Sequence, residues 1–327
     1  FLLIYPPPEP FFITKSRVFY GLSPPLGLLY IAKILENEGD TVQILDFSAE
    51  PFDDKKLITN VRSADVVGIT ALSPSWNEVK SLIDRVKQIA PDIPIIIGGP
   101  HCTLIPEQSL TETQATLSIQ GDGEIVIHDI KKALNNEKDF SEIPGITYRT
   151  PSGIKYGPPP QLIHDLNSIP FPARHLVKQY AYGREYNPHL KAGEFTSIIT
   201  SRGCPYACRF CSRGSISMQR YRTRSTENII AELKEIKHQG YNHVLFSDDC
   251  FPANTKQASA LFDAIIKENL DLKFSVTATR VDLADKDLYK KMRQAGVTHM
   301  QFGLESGNQD VLDFYQKHTT PETIKKA

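Results

Sequence analysis

Three cysteines fall within Ser201-Arg202-Gly203-Cys204-Pro205-Tyr206-Ala207-Cys208-Arg209-Phe210-Cys211, separated by three and then two residues. Three thiolates on one tight loop can hold three irons of a cubane iron–sulfur cluster and leave the fourth iron without a protein ligand. An open iron is a place for a substrate to bind, which points to catalysis rather than electron carriage. A zinc site would want a fourth Cys or His, usually in paired halves. The other cysteines, Cys102 and Cys250, are isolated in sequence. Five cysteines in 327 residues are also too sparse, and odd in number, for a disulfide framework.

Regular elements must carry that loop. The β-branched run Thr196–Thr200 leads into it and ends at Gly203. From Phe195 onward, strands at His243–Phe246, Lys273–Thr279 and Thr298–Gly303 alternate with helices at Thr226–Gln239, Lys256–Glu268 and Asp285–Ala295. Ser225 or Thr226 caps the first of these helices. Such a repeat suits a parallel barrel, whose chemistry gathers at the carboxyl ends of its strands. Asp248, Asp249, Arg280, Glu305 and Ser306 all stand at those ends. Cys250 fits a small buried residue better than a fourth ligand.

The same rhythm fills the first part of the chain. Strands are expected at Phe1–Tyr5, Thr41–Asp46, Asp65–Thr70, Ile93–Gly98 and Ala115–Gln120. Helices are expected at Gly27–Glu38, Lys55–Arg62, Asn77–Ala90, Pro106–Thr111 and Glu124–Asn135. This predicts a doubly wound parallel sheet that binds ligands at the carboxyl ends of its strands. Pro6-Pro7-Pro8 stands where a GxGxxG loop would be, which disfavours nicotinamide and flavin. Thr70 and Ser73 offer hydroxyls after the third strand. Gly98, Gly99 and His101 follow the fourth, and Gly121, Gly123 and Glu124 the fifth. Glycines there let backbone approach a bulky ligand, although each loop taken singly is an ordinary turn.

Between the two halves the periodicity dissolves at Pro151-Ser152-Gly153, Gly157–Pro160 and Ile169–Pro172. A small hairpin (Gly145–Arg149 and Ile154–Tyr156) and an extended connector are expected there. The resulting division is 1–138, a linker over 139–194, and 195–327. Net charge is −1, from 37 Lys and Arg against 38 Asp and Glu, so no electrostatic footprint for nucleic acid is present. No apolar run approaches the ~20 residues of a membrane span. Reduced thiols and an oxygen-sensitive cluster point to the cytoplasm. The chain lacks a starting methionine and stops within a helical turn, as a piece of a longer protein would.

Cys204, Cys208 and Cys211, with Phe210 before the last, match the CxxxCxΦC signature, and the chain resembles radical S-adenosylmethionine (SAM) enzymes. Pro24-Pro25-Leu26-Gly27-Leu28 and the GGPH and GDGE loops extend the resemblance to the cobalamin-dependent branch. It implies an α/β chain: a flavodoxin- or Rossmann-like cobalamin-binding domain, then a (βα)6 partial-barrel core, C-terminally incomplete. It implies three cofactors, a 4Fe-4S cluster, SAM and cobalamin. The cluster would sit on the three cysteines. SAM would lie by Phe210, with Asp248 or Asp249 on its ammonium, Arg280 on its carboxylate, and Glu305 and Ser306 on its ribose. Cobalamin would contact Thr70, Ser73, Gly98, Gly99, His101, Gly121, Gly123 and Glu124. The DxHxxG motif is absent, so cobalt would lack a protein histidine. Trp76 would cover its lower face or belong to the core.

The implied reaction is methylation of an unactivated carbon through a 5′-deoxyadenosyl radical and methylcobalamin. The alternative is an oxidative cyclisation or rearrangement on a tetrapyrrole- or nucleoside-type substrate. A non-catalytic corrinoid or iron–sulfur carrier would have no use for an open iron. Implied partners are a small-molecule or peptide substrate and a flavodoxin- or ferredoxin-like electron donor.

Overall fold

The structure is a computed structural model and describes residues 1–8 and 23–327. It contains two compact units, Phe1–Ile163 with Ile169–Glu185, and His164–Ser168 with Tyr186–Ala327.

The first unit is built on strands β1 (Leu2–Tyr5), β2 (Gln43–Asp46), β3 (Val67–Thr70), β4 (Ile95–Gly98) and β5 (Leu117–Ile119). Helices α1 (Leu26–Asn37), α2 (Asp54–Arg62), α3 (Trp76–Ile89), α4 (Pro100–Leu104), α5 (Pro106–Thr111) and α6 (Ile127–Leu134) connect or follow them. The strands are almost wholly apolar and buried, as a parallel sheet covered on both faces requires. Their order is β2-β1-β3-β4-β5, all parallel. The chain direction across the sheet therefore reverses between β1 and β3, and open sheets of this order bind ligands at that switch point. The hairpin expected around Pro151-Ser152-Gly153 forms as β6 (Ile146–Thr150) and β7 (Gly153–Tyr156), adding two antiparallel strands beyond β5.

The proline-rich connector folds back onto this unit. Tyr182 donates its hydroxyl to Asp46 Oδ2 at 2.6 Å, and the Asp46 amide donates to the Tyr180 hydroxyl at 3.3 Å. Asp46 is fully buried, and burial pushes its carboxyl above the usual range. Nothing in the connector's periodicity announces this docking.

The second unit carries β8 (Phe195–Ile198), β9 (Ser201–Arg202), α7 (Arg213–Ile216), β10 (Arg222–Thr223), α8 (Thr226–His238) and β11 (His243–Phe246). It continues through α9 (Thr255–Glu268), β12 (Lys273–Arg280), α10 (Lys286–Gln294), β13 (Val297–Gly303), α11 (Gln309–Phe314) and α12 (Pro321–Lys326). The order β13-β12-β11-β8 is parallel throughout, as four successive βα units demand. Side-chain caps start these helices, Ser225 as expected and Asn254 and Asp285 in addition. Ser225 accepts from Asn228 N, Asn254 from Lys256 N and Gln257 N, and Asp285 from Asp287 N and Leu288 N. Among the described residues, no helix is long and apolar enough to cross a membrane.

Candidate active site

The cysteine loop leaves the carboxyl end of β8. Gly203 makes the turn possible: its φ is +88°, and a side chain there would collide with the Arg220 carbonyl. The antiparallel pairing of β9 with β10 pins the base of the loop. A turn bond from Cys211 N to Cys208 O (3.1 Å) and one from Arg209 N to Tyr315 O (3.0 Å) hold its far side. Cys204, Cys208 and Cys211 are all free thiols, partly or fully open to solvent. Among the described residues no three His, Cys, Asp or Glu side chains converge on a single ion.

Cys250 is buried. The neighbouring Cys250 thiol, then the Tyr206 N–H and the Arg280 charge, hold the Cys204 thiol below its ordinary value against the opposing effect of burial. The three cysteines fit a cluster.

Asp248 is a buttress for this loop. Its Oδ1 accepts from Thr200 N at 3.1 Å, Thr200 Oγ1 at 2.9 Å, Ser201 Oγ at 2.5 Å and Ser201 N. Its Oδ2 is buried and has no hydrogen-bond partner among the described residues. Burial pushes its carboxyl from 3.8 up to about 6, although the bonds from Ser201 and Thr200 oppose the shift. A raised folded-state value means that the folded protein keeps a proton which the unfolded chain has already lost. Stability from this group is therefore greatest below 3.8 and falls as pH rises through about 6. The loss is about 3 kcal/mol. Asp248→Asn keeps an acceptor and removes the charge. It should flatten that part of the pH profile, and urea midpoints between pH 4 and 8 will check it. A slope equal to the wild type's would contradict it.

Asp249 is more fully engaged: Oδ2 accepts from Gly203 N at 3.0 Å, and Oδ1 pairs with Arg213. Phe210 is 47% exposed, with its ring 5.0 Å from Tyr315 and the Lys317 ammonium 5.8 Å away. Glu305 follows β13 with φ +66°, its carboxylate paired to Lys317 at 2.7 Å. Ser306 Oγ accepts from Asn308 N.

Arg280, expected on the SAM carboxylate, is only 4% exposed, and four of its five N–H groups are engaged within the chain. Nε and Nη2 grip Asp282, Nη2 also donates to the Lys317 carbonyl, and Nη1 donates to Cys208 Sγ at 3.7 Å. Its guanidinium lies 3.7 Å over the Tyr206 ring. The Nε–Nη2 edge is taken up by Asp282. Asp282, Lys317 and Tyr206 were not singled out from sequence, because their only signal is contact with Arg280 across long sequence separations.

In the first unit, the loops after β3, β4 and β5 lie on neighbouring strand ends. Ala71 N donates to Gly98 O at 2.7 Å, His101 N to Ala71 O at 3.1 Å, and Gly121 N to Thr103 Oγ1 at 3.0 Å. Gly99 has φ +103°, and a Cβ there would press on Thr70 Oγ1 and Ala71 O at 3.0 Å. Thr70, Ser73, Gly98, Gly99, His101 and Gly121 are thus brought to one edge. Gly123 and Glu124 open a short 3-10 turn after β5, and a Cβ on Gly123 would meet Ile31 at 3.3 Å.

His101 is buried, its Nδ1 3.1 Å from Ser73 Oγ and its ring stacked on Trp76 at 4.0 Å. Its Nε2 is buried without a partner among the described residues, and burial lowers its basicity. Trp76 itself is core: 8% exposed, with its N–H bonded to Glu112 at 2.9 Å. Closely approaching glycine loops and an orphaned buried nitrogen at the strand ends fit a bulky polar ligand such as cobalamin.

Residues 198–327 match the family model of the radical SAM superfamily, and residues 16–131 that of the B12 binding domain. An uncharacterized methyltransferase of Pyrococcus horikoshii is 31% identical over 98% of this chain and 68% of its own length. The anaerobic magnesium-protoporphyrin IX monomethyl ester cyclase of Rubrivivax gelatinosus is 28% identical over 94% of this chain and 56% of its own length. Among solved structures, the radical SAM methyltransferase TsrM of Kitasatospora setae, with cobalamin and a [4Fe-4S] cluster bound, shares the fold. Its TM-score is 0.77 at 20% identity, over 99% of this chain and 63% of that one. The chain thus spans about 56–68% of these curated relatives. It belongs to the cobalamin-dependent radical SAM enzymes, whose cofactors are a four-iron cluster, SAM and cobalamin.

Proposed function

We propose that the full protein methylates an unactivated carbon of a small-molecule or peptide substrate. The observation that carries this reading is the 31% identity to a methyltransferase along 98% of the chain, in a protein with both a B12-binding and a radical SAM unit. When bound, the cluster, SAM and corrinoid supply the radical and the methyl group. This chain's residues hold and orient them. Cys204, Cys208 and Cys211 carry the cluster, and Asp248 and Asp249 fix the loop that presents it. Asp248 Oδ2, buried and unpartnered, is the acceptor for the SAM ammonium, and the ammonium in turn neutralises a carboxylate that is costly to bury. Phe210, Glu305 and Ser306 form the adenosine side.

Thr70, Ser73, Gly98, Gly99, His101, Gly121, Gly123 and Glu124 form the corrinoid side. A low-potential flavodoxin- or ferredoxin-like protein supplies the electron. The setting is the cytoplasm, and with a net charge of −1 nucleic acid is not the substrate.

Methyl-deuterated SAM supplied to the reconstituted full-length protein with candidate substrates tests the proposal. The product should carry the labelled methyl. A product dehydrogenated or cyclised without label would favour the second reading, oxidative cyclisation, which the 28% identity to the Rubrivivax cyclase supports. In the same preparation Asp248→Asn should weaken SAM binding about tenfold to a hundredfold, the loss of one charge-assisted bond. Calorimetry measures it, and an unchanged affinity would remove Asp248 from the SAM site.

The corrinoid side gives a separate expectation. His101 Nδ1 faces Ser73 and its ring is stacked on Trp76, and the DxHxxG motif is absent, so cobalt should take no histidine from this chain. Electron paramagnetic resonance of the cob(II)alamin form should show no splitting from an axial nitrogen. A nitrogen triplet that vanishes in His101→Ala would overturn this.

A further inference from the structure

We propose that Arg280 is the residue that sets the reduction potential of the cluster, by donating a hydrogen bond and a positive charge to the ligand sulfur of Cys208. The inference rests on the reading of the three cysteines as cluster ligands. Arg280 Nη1 lies 3.7 Å from Cys208 Sγ, within range of an N–H···S bond. The guanidinium is fixed by four of its five N–H groups and across one face. Asp282 grips it through both carboxylate oxygens, at 2.9 and 3.1 Å, the Lys317 carbonyl accepts a further N–H, and Tyr206 covers its face at 3.7 Å. Tyr206 lies on the cysteine loop itself, so the ring and the sulfur fix the arginine from the same segment.

One-electron reduction adds a negative charge that is shared among the irons and their sulfurs. Hydrogen bonds to the sulfurs, net charge and solvent exposure are what tune such clusters. A fixed cation on one sulfur, itself only 4% exposed, favours the reduced state. Asp282 partly offsets the charge while locking the geometry, so the donor is rigid and its field is moderated. Arg280 is therefore a positioning and tuning residue. Its effect is to bring the cluster within reach of the electron donor.

The test uses the full-length protein, reconstituted without oxygen and titrated potentiometrically with dithionite and mediators while the reduced-cluster resonance is followed. Arg280→Gln should keep its iron and lower the midpoint by at least the equivalent of a tenfold change in the reduction constant, about 59 mV for one electron. Its SAM affinity should stay within threefold of the wild type. Arg280→Lys keeps the charge without the fork, and should load iron fully with a downward shift less than half as large.

A loaded Gln variant with the wild-type midpoint would overturn the proposal. So would a SAM affinity lowered tenfold at unchanged midpoint, which would return Arg280 to the SAM carboxylate. If the Gln variant does not hold iron, the Lys variant decides alone: a lowered midpoint supports the proposal and a wild-type midpoint refutes it. A wild-type protein that takes up no iron would instead unseat the cysteine assignment.

Discussion

Replacing Cys204, Cys208 and Cys211 together by Ala is expected to abolish iron–sulfur binding and reduce SAM cleavage to background. On this assignment each thiolate would hold a different iron. Cys102 is buried in the core of the first unit. Cys250→Ala is the matched control. It removes a buried thiol and leaves all three cysteines of the loop, so iron content should remain near the wild-type value. Iron and sulfide analysis with visible absorption reads both outcomes. Full iron in the triple variant, or stoichiometric zinc in the wild type, contradicts the assignment.

Glu232→Ala should be the most destabilising single change in the second unit. Glu232 is fully buried and pairs with Arg224, itself only 5% exposed. Arg224 also donates to Asn228 Oδ1 at 2.6 Å and to the Ile199 carbonyl at 2.9 Å, just before the cysteine loop. Removing the carboxylate leaves a buried guanidinium uncompensated, which costs about 3–5 kcal/mol. That is a large part of a domain's usual total of about 5–15 kcal/mol. Arg224 N also bonds to Thr200 O, so iron loading should fall with stability. Replacing both partners, as Arg224→Met with Glu232→Leu, should recover part of the loss, because the buried cation is removed together with its carboxylate. Urea unfolding measures all three proteins, and a loss below about 1 kcal/mol for Glu232→Ala would show the pair to be dispensable.

Much of this architecture is legible in the sequence because its parts are locally marked. Val67–Thr70 and Ile95–Gly98 are apolar runs closed by Gly or loop residues, and Asp53, Asn254 and Asp285 announce their helices by capping. The cysteine loop is legible from spacing alone. The departures come from long-range contact. Arg280 at the end of a barrel strand looks like a carboxylate binder until Asp282, Tyr206 and Lys317 are seen to enclose it. Asp248 and Asp249 look equivalent, but only one has a buried oxygen without a partner. The connector carries no periodicity, yet Tyr180 and Tyr182 anchor it on Asp46. One signal was available and passed over. Glu232 interrupts the apolar face formed by Ile229, Leu233 and Ile236, and an acidic residue in that position requires a buried partner.

The central claim, that the three-cysteine loop holds a cluster which opens SAM, has a direct measurement. The reduced, reconstituted full-length protein is incubated with SAM, and 5′-deoxyadenosine and methionine are quantified by liquid chromatography with mass spectrometry. The expected result is equimolar release of the two, dependent on reductant and absent from the triple cysteine variant. A loaded and reduced cluster that leaves SAM intact, with or without cobalamin bound, would contradict the account.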